Sequence, residues 1–65
     1  MSLIELTNHE RLQLLDVLHE SEDAHLYRRA LAILLIDEGD DVAQVAGMLD
    51  VHRSNVYRWM DAFAA

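Results

Sequence analysis

Residues 49–59 read LDVHRSNVYRW, and the fold turns on how they are read. Upstream of this stretch and into it, Val42, Val45, Ala46 and Leu49 recur at i, i+3, i+4 and i+7, the spacing of one helix face. Downstream, Val56, Trp59, Met60 and Phe63 repeat that spacing. Two short amphipathic helices therefore flank a brief turn around LDVH, the layout of a helix-turn-helix. The residues at the joint fit this layout. Ala46 is small where two steeply crossing helices must touch. Asp50 falls where the backbone must turn through positive φ, and aspartate and asparagine tolerate this best after glycine. Val51 is then expected to plug the core, Val56 to anchor the second helix and Trp59 to lock it one turn further on. Random amphipathic helices meet part of this pattern but seldom all of it.

The chain before the motif also reads as helix. TNHE places Thr7 at a cap with Glu10 three residues on, a capping box. A first helix is expected from about Asn8 to about Glu20, with Leu14, Leu15 and Leu18 sharing a face with the stem of Arg11. SED at 21–23 offers caps for a second helix, and Gly39 closes it. Its segment ALAILLI, residues 30–36, is apolar nearly all round. Such a helix is usually central, and otherwise has one side free as a dimer surface; central packing is the favoured reading. Asp41 with Gln44 makes a second capping box and opens the next helix. No strand signal competes, and proline is absent. The expected fold is all-α, a small bundle of about four helices ending in a helix-turn-helix. It is read as one domain over 1–65, with the motif proper at about 41–63.

Composition narrows the function. Sixty-five residues make a small core, so regular helix packing or a partner must supply stability. With no cysteine there is no disulfide, thiolate metal site or thiol nucleophile. No basic segment precedes a long apolar one, so no signal peptide is expected. ALAILLI is far shorter than the ~20 residues of a membrane span. The expectation is a cytoplasmic, prokaryotic protein, associated with the nucleoid when on DNA, with no membrane partner.

The charge is unevenly spread. Residues 1–41 hold ten acids and three arginines, a balance of −7. Residues 42–65 hold two of each and are neutral, so the scaffold carries the whole net charge. Every base is arginine. An acidic, lysine-free surface fits either adaptation to high salt or the bias of a short chain.

In helix-turn-helix proteins the amino-terminal residues of the second helix meet base edges in the major groove. With the apolar stripe inward, the helix at about 53–63 presents Ser54, Tyr57, Arg58 and Asp61, flanked by Arg53 and Asn55. Arginine pairs with guanine in two-pronged fashion, asparagine with adenine, and serine with several edges or a phosphate. Arg53, Ser54 and Asn55 are thus candidate readers, and Tyr57 and Arg58 candidate backbone grips. His52 is a candidate either for the helix cap or for a phosphate. Arg28 and Arg29 are candidates for phosphate contact; being about 100° apart on a helix, at most one should face DNA squarely. Solvated arginines paired with nearby acids are an equally weighted reading. Trp59 lies on the apolar stripe and reads as core rather than as a base-stacking platform.

RRALAILLIDEGDDVAQVAGMLDVHRSNVYRWM, residues 28–60, resembles the amino-terminal helix-turn-helix of mariner-type insertion-sequence transposases. Those proteins in turn resemble paired-box and homeodomain-like DNA readers. HERLQLLDVL, residues 9–18, is similar to the family's first helix, so the likeness runs from residue 7 to residue 63. The resemblance implies binding of transposon terminal repeats, with His52 to Arg58 at the recognition-helix positions. The sequence departs from the family in three places. Asp50 replaces the turn glycine. Gly47 and MDAFAA stand where bases are usual. The second reading domain and the three-carboxylate catalytic domain are missing, so the chain reads as an excised domain, a relic or a stand-alone binder.

No enzyme is expected, since no nucleophile–base pair or glycine-rich phosphate loop is present. No metal, cofactor or small-molecule substrate is expected either; the four histidines show no tight ligand spacing. Two functions compete. The first is DNA binding to a double-stranded site, with a homodimer one route to useful affinity. The second is a protein-interaction or dimerisation module that keeps the helix-turn-helix frame, works through the apolar second helix and binds DNA weakly or not at all.

Overall fold

The computed structural model describes residues 4–64. Four helices account for nearly all of them: α1 (Asn8–Glu20), α2 (Ala24–Asp37), α3 (Val42–Leu49) and α4 (Arg53–Ala64). The architecture is all-α, with no strand among the described residues.

Each start has a local chemical cause. At α1 the Glu10 amide donates to Thr7 Oγ1 at 3.1 Å and the Thr7 amide to Glu10 Oε1 at 2.9 Å. At α2 the Asp23 carboxylate accepts from the amides of His25 and Leu26. At α3 Asp41 and Gln44 form the second capping box. These side chains satisfy amides that the first turn of a helix leaves without partners.

The ends of α2 and α3 share one device. Gly39 has φ +107°, its amide donates to Ile36 O, and the next amide, of Asp40, reaches back to Leu35 O. Asp50 sits at φ 56°, ψ 47°, its amide donates to Gly47 O, and the Val51 amide reaches back to Ala46 O at 3.0 Å. Both are Schellman-type closures, in which one left-handed residue turns the chain and returns the next amide to the last turn. Asp50 is the one non-glycine residue with positive φ among the described residues.

The apolar faces then assemble around α2, which packs against all three other helices. Ala30, Ala32, Ile33, Leu34 and Ile36 are buried, and Leu31 and Leu35 partly so. ALAILLI is therefore used inside the chain's own core and is not left over as a dimer surface. Ala32, Ile36, Val42, Val45, Ala46, Val56 and Trp59 form one cluster, with Ile4, Leu49, Val51 and Met60 packed at its margin. Ala46 is buried at the joint, as its size demands, and Val51 enters from the turn.

α1 lies outside this cluster. It packs on α2 alone and buries no residue fully. A polar tie supplements its apolar contact. The Asp37 side chain, only 7% exposed, accepts from Arg11 Nη2 at 2.6 Å and from the Leu6 amide at 2.8 Å. This carboxylate stands at the negative end of α2, where a helix disfavours an acid, so the guanidinium is its necessary counter-charge.

Two outcomes follow for stability. Asp50→Gly should raise it by about 0.5–1 kcal/mol and Asp50→Val should lower it by about 1–2 kcal/mol, read by urea denaturation. Asp37→Ala should cost about 1–2 kcal/mol and loosen α1 first, seen as faster amide exchange over residues 8–20 than over α3.

Candidate nucleic-acid interface

α4 carries most of the residues at issue. Its inner face buries Val56 and Trp59, with Met60 and Phe63 half-buried. Its outer face exposes Arg53, Ser54, Tyr57, Arg58 and Asp61. Tyr57 is 51% exposed, so its ring and hydroxyl are open to a contact. Asn55 departs from the expected flanking position. It is half-buried and turns toward α2 rather than lying open beside Arg53.

His52 caps α4. The Ser54 amide donates to His52 Nδ1 at 3.1 Å, and Ser54 Oγ lies 2.9 Å from the same nitrogen. The Asn55 amide closes the turn on His52 O. A ring whose Nδ1 accepts must carry its proton on Nε2, so the cap leaves a second donor on the same side chain. The cap and an anion contact are therefore compatible roles for one imidazole.

The arginines divide in two. Among the described residues the sole ion pair is Arg11–Asp37. Arg28, Arg29, Arg53 and Arg58 pair with no acid, although the chain holds twelve. Among the described residues no acid lies within ion-pair distance of Arg28 or Arg29.

Three of these four arginines share one groove. Arg28 and Arg29 of α2 and Arg58 of α4 line one groove, with His25, Asn55 and Trp59. The separation of Arg28 and Arg29 around α2 does not keep both from lining the same groove. No acid lines it. His25 and Trp59 make a T-shaped contact, centroids 6.0 Å apart and planes at 81°. Sequence spacing singled out neither His25 nor the groove. A trace was present: His25, Arg28 and Arg29 stand at i, i+3 and i+4, which puts them on one side of a helix. The groove beyond Arg28 has the opposite character, lined by Glu22, Asp23 and Asp50 with Ser21 and Tyr27.

Among the described residues no three His, Asp or Glu side chains gather to hold a metal, and no helix is long and apolar enough to cross a membrane.

Comparison with known proteins fits this geometry. A family model described as a homeodomain-like domain matches residues 23–65, which takes in α2, α3 and α4. The chain belongs to that homeodomain-like family. In these terms α2, α3 and α4 are the three helices of the homeodomain-like unit, and α1 is an addition in front of it. A relative, the uncharacterized 39 kDa protein of insertion element IS630 from Shigella sonnei, is 34% identical over 58 residues. The match covers 89% of this chain but 17% of the relative, so the chain spans less than a fifth of that protein. No solved structure matches the chain significantly.

The cap can be tested by itself. His52→Ala should cost about 1 kcal/mol in thermal or urea unfolding, whereas His52→Asp, a better cap, should restore or exceed the parent stability.

Proposed function

We propose that the chain is a DNA-binding domain that lays α4 in the major groove of a double-stranded site. Arg53 and Ser54 are the readers of base edges at the open end of α4, with Asn55 reading from the groove side. Tyr57 and Arg58 grip the backbone, and His52 reaches a phosphate through Nε2 while holding the cap. The supporting observation is the partition of the arginines among the described residues: the one on the α1 scaffold is paired, and the four on α2 and α4 have no acid partner there. The homeodomain-like fold and the likeness to an insertion-element protein point the same way. We take the transposon-end role from that likeness, and a cytoplasmic, nucleoid-associated location with it. On this reading residues 1–65 work as one domain, and a homodimer or a second domain raises its affinity.

Affinity is modest on this reading, because a net charge of −7 opposes approach to a polyanion. Three or four phosphate contacts give a log–log salt slope of about −3. The deciding experiment is an amide NMR titration with mixed-sequence duplex at low salt and near molar potassium chloride. Shifts confined to about residues 51–59 and the α2 arginines support the reading, and their survival in molar salt adds the high-salt adaptation. No shift at either salt overturns it. The module reading would then take over, resting on Leu12 and Leu26, which are 62% and 45% exposed.

Within the DNA reading, Arg53→Ala should cost about 1–3 kcal/mol at a preferred site and flatten the preference at one base position. Tyr57→Phe should weaken all sequences alike, by under about 1 kcal/mol, measured by fluorescence anisotropy. His52→Asp should keep the fold and still weaken binding, since it places a negative charge where the imidazole meets phosphate.

A further inference from the structure

We propose that the α2–α4 groove is a phosphate-binding site that seats one backbone phosphate beside the reading helix, and that the acid-lined groove past Arg28 ends the footprint. The source of the phosphate rests on the DNA reading above; the anion chemistry of the groove does not.

Arg28, Arg29 and Arg58 all line one groove of about 360 Å³, with no acidic residue among its described lining residues. In a chain with twelve acids and five bases this is the reverse of what composition would place there. Like charges gathered without a counter-ion repel one another, and an anion seated among them removes that cost. Guanidinium is the side chain best matched to this task, since its planar fork gives two parallel hydrogen bonds to one phosphate.

The walls are set for it. Arg29 is half-buried, so its stem is held before any ligand arrives. The Trp59 ring is buried and in T-shaped contact with His25, which makes a firm floor. Asn55 adds an amide donor from the first turn of α4. Phosphate contacts fix register and orientation while base contacts carry sequence. A phosphate held between α2 and α4 would fix how far α4 slides along the major groove, because two of the grips belong to a different helix.

Arg28 lines both grooves. On its far side Glu22, Asp23 and Asp50 repel a second phosphate. The backbone is thereby gripped on one side of Arg28 and turned away on the other.

The test uses the whole chain, titrated separately with tripolyphosphate and with a short mixed-sequence duplex, read by the side-chain resonances of His25, Asn55 and Trp59. Shifts in both arms are expected, and Arg28→Gln/Arg29→Gln should abolish those with tripolyphosphate and, with duplex, those of His25 and Trp59, leaving the Asn55 shift of the base contact. That variant should bind duplex about tenfold more weakly, with a salt slope shallower by about 2 and the loss equal across sequences. Shifts with duplex alone support the site and assign its phosphate to a nucleic-acid backbone. Shifts with tripolyphosphate alone support the groove's chemistry and overturn the DNA reading. No shift in either arm overturns the site, as does a folded double variant with unchanged affinity and slope. Should the glutamine pair fail to fold, Arg28→Lys/Arg29→Lys carries the test. It should keep the slope and lose affinity several-fold, and unchanged affinity overturns the two-pronged grip.

Discussion

Everything on the α3–α4 side hangs on one residue held in a left-handed conformation. Asp50 turns the chain at φ 56°, ψ 47°, and Val51 follows it straight back into the core. A right-handed residue there would carry α3 onward and leave Val51 in water. Val56 and Trp59 would then lose the partners that bury them against α2 and α3. The conformation is costly for a residue with a Cβ, and aspartate is among the few side chains that bear it. The return bond from the Val51 amide to Ala46 O makes the turn and the helix end one unit. It joins the small residue at the crossing to the apolar plug beside it.

The acidic composition is reconciled with the fold by position. Caps use Asp23 and Asp41, and Asp37 is neutralised by Arg11. These acids do structural work at helix ends, and none of them lines the groove shared by Arg28, Arg29 and Arg58. Net charge sets the long-range field, but over a Debye length of about 8–10 Å the local arrangement governs what is bound. Asp61 is the one acid on α4 itself, and it sits on the outer face toward the carboxyl end.

Much of the fold could be read from spacing, because its determinants are local. Thr7 with Glu10, Asp41 with Gln44, Gly39 and Asp50 each announce a boundary within a few residues of it, and the structure places all four boundaries there. The central packing of residues 30–36 was legible too, since no face of that segment is polar. The tie of Arg11 and Leu6 to Asp37 was not. Its partners lie 26 and 31 residues apart, and nothing in local periodicity pairs them. The candidate interface was legible by half. Positions 52–58 followed from the motif, whereas the convergence of Arg28, Arg29 and Arg58 depends on how α2 crosses α4. The inward turn of Asn55 depends on that crossing as well.

The order of packing has a consequence for how the chain reaches its fold. α1 docks on α2, α2 on α3 and α3 on α4, with α2–α4 the one contact that skips a helix. Loops closed between sequence neighbours are short, so little chain entropy is lost before contacts compensate for it. Helical chains of this topology fold in microseconds to milliseconds. With no proline in the sequence, no slow prolyl isomerisation delays them. No slow prolyl or disulfide step therefore stands between the molecule's unfolded and folded states. Its persistence depends on equilibrium stability, renewed each time a helix opens and closes again.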